Sequence, residues 1–379
     1  MQQVYFDNAA TTQLRSEVIT AMVEVMNNNY GNASSSHSFG RSSKALIEKT
    51  RKAIASYLNV SAGEIIFTSG GTEADNLILQ SAVRDLKVTH IITSKIEHHA
   101  VLRTIEQLVK DYKLVVSYVD LKPNGKIDYL HLETLLKREA KTLVSLMHIN
   151  NEIGNILNIK KIANLCKAND ALFHTDAVQS VGHYNLDLQD VKVDFLAAAA
   201  HKFHGPKGVG FAFIRRNSTL KPSILGGEQE RGLRAGTESV HNIVGMEMAL
   251  KCAYQNLQKE TEYIKNLKQH FISSIKKNIP NAIFNGKSGN LEKSTYTLIN
   301  VCLPIPPKKA AMLLFQLDLK GIACSKGSAC QSGSNQNSHV LTEILNADTL
   351  QKPSIRFSFS IYNTKEEVDY VVGVLKSVC

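Results

Sequence analysis

Four short segments carry residue types that could do chemistry. Residues 67–73 (FTSGGTE) end an apolar run in Ser69, Gly70 and Gly71, and a helix-like pattern follows. Glycines allow a tight turn, and the N–H groups at a helix start can hold a phosphate without a lysine. The plainer reading is a capped helix, with Thr72 as N-cap and Asp75 at the third position. Residues 173–179 (FHTDAVQ) end a strand-like run in Asp176, with Gln179 just beyond. Strand ends in an α/β sheet face the ligand crevice, so Asp176 could hold a cationic ring nitrogen. A helix-capping or loop aspartate remains the alternative.

Residues 199–210 (AAHKFHGPKGVG) put Lys202 after an apolar run and before a Gly/Pro turn. A lysine among desolvating neighbours can form a Schiff base; a surface turn lysine is the other reading. His201 and His204 have no carboxylate or further histidine at ligand spacing, so no metal site is expected. Residues 324–334 (CSKGSACQSGS) set Cys330 among Gly and Ser, at the head of a polar stretch that reads as a mobile loop. Free cysteine prefers burial, so a loop cysteine is a candidate nucleophile. An ordinary thiol is only a few per cent thiolate at neutral pH, so a neighbour must help it ionise. Cys324 reads as a strand-buried thiol, and the other four cysteines as structural.

The elements that must position these residues alternate. Strands are expected at 64–68, 90–93, 114–119, 143–149, 171–175, 195–199 and 208–214. Helices are expected at 42–58, 72–86, 101–112 and 159–169, with a long one within 241–278. Alternating β and α elements point to a mostly parallel sheet covered on both faces. The tail reads as short strands interleaved with helices (295–303, 308–317, 322–325, 340–345, 355–360, 365–378), which suggests a smaller C-terminal α/β domain.

Composition removes several function classes. At 379 residues and 43% apolar content the chain can bury a sizeable core, with two or three domains as the prior. No run of about 18 apolar residues occurs, so no membrane span is expected. The segment from Met1 to Thr12 has neither a signal-peptide nor a transit pattern, and a cytoplasmic location is expected. Lys and Arg number 44 against 34 acidic residues, but they are spread along the chain, so no direct nucleic-acid binding is expected. Six scattered cysteines without a CxxC pair fit a reducing compartment, not a disulfide framework or a thiolate zinc site.

Taken together, the segments resemble the NifS/IscS-like cysteine desulfurases (class I), a branch of the fold-type I pyridoxal-phosphate (PLP) enzymes within the class-V aminotransferases. The similarity runs from YFDNAATT at residues 5–12 to IRFS at 355–358. It includes GNASSSHSFGR at 31–41, EHHAVL at 97–102, MHINNEIG at 147–154, HTDAVQ at 174–179 and RGLRAGT at 231–237. Any one motif is weak; the ordered set, covering nearly the whole chain, is specific.

The resemblance implies the roles. Lys202 would hold PLP as a Schiff base and later remove the substrate Cα proton. Asp176 would pair with the ring nitrogen, Gln179 with the ring hydroxyl, and His98 would stack on the ring and shuttle protons. Gly71, Thr72 and His201 would hold the phosphate, and Thr237 would reach that of a partner subunit, implying a homodimer. Asn151 and Arg356 would bind the carboxylate of L-cysteine. Cys330 would take its sulfur as a persulfide, leaving L-alanine, and pass it to an acceptor protein such as an iron–sulfur scaffold or a sulfur carrier.

The implied architecture is a large cofactor-binding domain over 15–255. A small domain, from 1–14 and 256–379, would carry the cysteine loop at about 325–338. Ala199 departs from the pattern, since relatives usually have a serine there that contacts the phosphate. Two other readings stand beside this one: a selenocysteine lyase or other PLP lyase, and a binding protein that keeps the fold without catalysis.

Overall fold

The computed structural model describes residues 2–215, 219–327 and 338–379; Cys330 and residues 331–337 of the predicted loop lie outside the described residues. After β1 (Val4–Tyr5), the apolar runs form β2 (Ile65–Thr68), β3 (His90–Thr93), β4 (Val115–Tyr118), β5 (Thr142–Ser145), β6 (Leu172–Asp176), β7 (Phe195–Ala199) and β8 (Gly210–Ile214). Seven of these make one sheet in the order β2-β8-β7-β6-β5-β3-β4. Strand β8 is antiparallel to both neighbours, and the other pairs are parallel. Two reversals cancel, so β2 runs with β7. The C-terminal ends of the other six strands therefore open on one side. The expected mostly parallel sheet is present. Strands β2, β3, β5, β7 and β8 are buried along their whole length, as a sheet covered on both faces requires.

The helices that follow the chain to its middle are α1 (Ser16–Asn28), α2 (Ser38–Tyr57), α3 (Gly71–Arg84), α4 (His99–Asp111), α5 (Tyr129–Leu136), α6 (Ile159–Ala168), α7 (Val240–Gln255) and α8 (Leu257–Asn278). One core packs Val18 of α1, Ile54 of α2, Ile162 of α6 and Met246 of α7 against sheet residues such as Phe173 and Phe211. A second packs Leu77 and Ile78 of α3 and Val101 and Ile105 of α4 against Ile91 and Ala197. At about 25 cal/mol per Å2 of apolar surface, burial of these side chains is the main term holding the helices to the sheet.

Further along the chain come β9 (Ile283–Phe284), β10 (Leu298–Cys302), β11 (Ile322–Ala323) and β12 (Ser354–Ser358). An antiparallel sheet runs β12-β10-β9, and β11 pairs in parallel with β1. Phe6, Phe271, Phe357 and Leu375 fill the core beneath. A bridge between Asp7 and Ser358 continues the contact of the N-terminal segment with β12.

Several expectations shift. The strand expected at 143–149 ends at Ser145, because the Met147 N–H turns to the Glu97 carboxylate instead of a ladder partner. The long helix within 241–278 is two helices meeting at Asn256, whose side-chain amide donates to the Cys252 carbonyl at 2.9 Å. Helices α1 and α5 lay outside the expected set. On α1 the exposed Ile19, Val23 and Met26 blur the apolar stripe, and α5 has only 8 residues. Thr72 is not an N-cap: α3 begins at Gly71, with Gly70 as the cap.

Candidate active site

The side chains singled out from sequence converge on a cavity of about 210 Å3 at the C-terminal ends of the strands. Strand β2 enters α3 through Ser69 and Gly70, the latter at φ 154°, a conformation that glycine alone adopts freely. A Cβ on Gly71 would lie 2.5 Å from Val178 Cγ2, so only glycine lets this turn approach the end of β6. The Ala74 N–H bonds back to the Gly70 carbonyl. The N–H groups of Gly71 and Thr72 precede that ladder and are open to a ligand. Both residues line the cavity, as does His201.

Asp176 ends β6, and its Oδ1 accepts the Val178 N–H at 2.9 Å. Burial pushes its carboxyl up to about 6, while the Val178 N–H and the nearby Lys202 pull the other way. Gln179 donates through Nε2 to the Ala9 carbonyl at 3.0 Å. Lys202 closes a short 3-10 turn after β7 and donates through Nζ to the carbonyls of Ala9 (2.6 Å) and Ala10 (2.7 Å). His98 caps α4, with Nδ1 accepting the Ala100 N–H at 3.1 Å, so its neutral ring carries the proton on Nε2. Burial, helped by Lys202 and His339, lowers its pKa to about 4.

Arg356 reaches the same cavity from β12 and is 1% exposed. One terminal nitrogen donates to Asp7 Oδ1 at 2.9 Å and the other to the Asn151 carbonyl at 2.8 Å. Its Nε is buried without a hydrogen-bond partner among the described residues. A carboxylate is the ligand such an edge accepts best. Asn151 also lines the cavity. Thr237 does not: it lines a separate cleft of about 120 Å3 with Thr68 and Ser69.

Some participants gave no sequence signal. The carbonyls of Ala9 and Ala10 hold Lys202, yet alanine side chains say nothing about chemistry. Asp7 was readable only as part of a motif. Glu97, adjacent to His98, is buried and accepts the Met147 N–H, which ties the His98 turn to the end of β5.

The buried histidines make stability depend on pH. Burial holds His98, His148, His201 and His204 at about 4 and His174 at about 3, against an ordinary 6.5. Between those values the unfolded chain binds protons that the folded chain refuses. Stability therefore rises with pH across the window and is lost as pH falls through it. Burial also lowers His90, His99 and His183, and it raises the carboxyls of Asp75, Glu97, Asp176, Asp194 and Glu247, which act in the opposite sense but are fewer, five against eight. The thermal midpoint of the cofactor-free protein is expected to fall from about pH 7 to about pH 5. A midpoint that held or rose over that interval would contradict this balance.

PLP fits these residues. The tight Gly70–Gly71 turn and His201 offer a cradle for the phosphate, the buried Asp176 carboxylate suits a protonated ring nitrogen, and the Lys202 amine lies in the same cavity. The buried Arg356 Nε supplies an unfilled donor for a substrate carboxylate.

Comparison with known proteins agrees in order and extent. The aminotransferase class-V family model matches residues 4–371. The cysteine desulfurase IscS of Dictyoglomus turgidum is 41% identical over 100% of this chain and 94% of its own. Among solved structures, a NifS-like protein superposes with a TM-score of 0.90 at 34% identity, covering 100% of this chain and 99% of its own. SspA in complex with cysteine follows with a TM-score of 0.81 at 31% identity, over 95% and 99% of the two chains. The chain belongs to the aminotransferase class-V family, in the branch of the IscS- and NifS-like cysteine desulfurases.

Proposed function

We infer that this chain is a PLP-dependent cysteine desulfurase that converts L-cysteine to L-alanine and takes the sulfur onto Cys330 as a persulfide. The observation that supports this best is the convergence in one cavity of Lys202, Asp176, His98 and Arg356, drawn from four separate parts of the chain.

The residues divide the work. Arg356, with its unpartnered Nε, and Asn151 take the substrate carboxylate and so fix the Cα–H bond relative to Lys202. Lys202 in its amine form removes the Cα proton, and the Ala9 and Ala10 carbonyls then receive the ammonium. When bound, PLP supplies the electron sink for the pair left on Cα. Asp176 keeps a negative charge against the ring nitrogen. His98 stays neutral at physiological pH, so its Nε2–H serves as a hydrogen-bond donor to the reacting groups. The Cys330 thiolate attacks the substrate sulfur. A sulfur–sulfur bond forms, the carbon–sulfur bond breaks, and its electron pair stays with the carbon fragment, which takes up one proton at Cβ, regains one at Cα from Lys202 and leaves as L-alanine.

The wider assignment is a homodimer in which Thr237 serves the partner's phosphate. Its position in a cleft beside Thr68 and Ser69, outside its own cavity, supports that role. A large cofactor-binding domain (15–255) and a small one (1–14 and 256–379) carrying the cysteine loop complete the picture. An iron–sulfur scaffold or a sulfur carrier in the cytoplasm is the proposed acceptor. Among the described residues no helix is long and apolar enough to cross a membrane.

Mass spectrometry after incubation with L-cysteine tests the reading. The Cys330 peptide should gain one sulfur while L-alanine accumulates; a gain on Cys324 alone would move the site.

Ala199 offers a second measurement. It lines the cavity beside Gly71, its Cβ 3.7 Å from where a Gly71 Cβ would lie. A serine there would add a hydroxyl to the phosphate cradle. Ala199→Ser is expected to slow PLP release about tenfold, as a hydrogen bond to a charged group would. Equal release rates in the two proteins would show that the cradle is already complete.

A further inference from the structure

The start of α3 contains a charge that opposes its task. Glu73 lies in the first turn of the helix, directly after Gly71 and Thr72. A carboxylate there suits the helix dipole but repels a phosphate bound at the same N–H groups. Glu73 is nevertheless ionised. Burial works against its charge, but the Arg234 guanidinium and the Ser69 N–H more than offset that and hold its carboxyl below the ordinary range. Arg234 Nε meets Glu73 Oε1 at 2.8 Å and a terminal nitrogen meets Oε2 at 3.2 Å, while the Ser69 N–H donates to Oε2 at 2.8 Å.

Arg234 is held for this contact. Its loop carries two successive non-glycine residues in the left-handed region, Glu230 at φ 48° and Arg231 at φ 59°. Such backbone persists only where its surroundings over-determine it. Here the buried Glu230 carboxylate pairs with Arg51 at 2.7 and 2.8 Å and accepts the Phe67 N–H at 2.7 Å. Phe67 belongs to β2, the strand that feeds the cradle. Glu230 therefore fixes the loop to the strand before the turn, and Arg234 fixes it to the helix after the turn.

We propose that Arg234 is a positioning residue for the cofactor phosphate: by neutralising Glu73 it lets the first turn of α3 present positive charge to the anion. The proposal rests on the PLP reading above and adds a residue outside the cavity to it. The consequence is specific to the phosphate and should be absent for pyridoxal, which has the same ring and aldehyde without that group.

Dissociation constants for PLP and for pyridoxal, measured on the full chain by the visible absorbance of the bound ring, test it. Arg234→Met is expected to weaken PLP about tenfold or more and to change pyridoxal by less than about twofold. Glu73→Gln removes the repelling charge and keeps the acceptor for Ser69, so PLP binding should stay within about threefold of native or tighten. The double variant should recover most of the loss, giving a coupling between the two sites. Arg234→Lys, which keeps the charge, should lie near native. Equal weakening of PLP and pyridoxal, a Glu73→Gln loss as large as that of Arg234→Met, or a double variant as weak as Arg234→Met would each overturn the proposal. If Arg234→Met did not fold, Glu73→Gln decides: a loss beyond about threefold sinks the idea, and none supports it. A native chain that bound neither compound would instead refute the PLP reading itself.

Discussion

The Lys202→Ala protein is expected to turn over L-cysteine more than about 1,000-fold more slowly than native, near the upper range for losing a positioned general base. The covalent attachment of PLP should go with it. The cofactor should still associate, because Gly71, Thr72, His201 and Asp176 line the cavity independently of the lysine. The decisive readout is exchange of the substrate Cα hydrogen in deuterated water, which should vanish with turnover. Exchange within about tenfold of native would point to another base, and His98 would be the first candidate. The loss of a positive charge offers a cross-check. Lys202 lowers the pKa values of both His98 and Asp176, so both should rise in the variant.

Removing Cys330 should separate the two halves of the reaction. In Cys330→Ala, formation of L-alanine from L-cysteine is expected to fall more than about 100-fold for want of a nucleophile. The visible absorbance of bound PLP and Cα exchange should survive, since neither uses the thiol. The five described cysteines are poor replacements: four are wholly or partly buried, and none, the exposed Cys379 included, lines the cavity. Burial raises the pKa values of Cys166, Cys252, Cys302 and Cys379. It pushes Cys324, near Arg356 and Asp7, up to about 12. A thiol in that state is inert as a nucleophile at neutral pH. Cysteine turnover that persisted in Cys330→Ala would refute the sulfur-carrier role.

Much of the molecule was legible because its signals are local. The strands are short apolar runs between turn residues, and each observed strand of the large sheet lies at or within a residue of its expected range, except β5, which the Glu97–Met147 contact ends early, and β8, which starts two residues late at Gly210. Asp176 and Lys202 could be singled out because one ends a buried strand and the other follows one, the place where an α/β sheet opens to a ligand. The turn before α3 was legible as a turn, because two glycines separate a strand from a helix, but a capped helix was its plainer reading. Its cap was misread because Thr72 is a good N-cap by type, whereas the helix starts at Gly71, with Gly70 as the cap and Thr72 inside the first turn.

By itself, then, the sequence determined the seven-stranded sheet, the strand ends that carry Asp176 and Lys202, and through its ordered motifs the family. What only the tertiary structure decided are the contacts between distant parts of the chain. The carbonyls that hold Lys202 lie 193 and 192 residues away from it, at Ala9 and Ala10. Asp7 meets Arg356 across 349 residues, and Arg234 reaches Glu73 across 161. Periodicity and turn chemistry act over a few residues and cannot report such pairs. They arise because β1 pairs with β11, Asp7 bridges to β12, and Glu230 ties its loop to β2, and those pairings are chosen by burial of the whole core rather than by any local pattern.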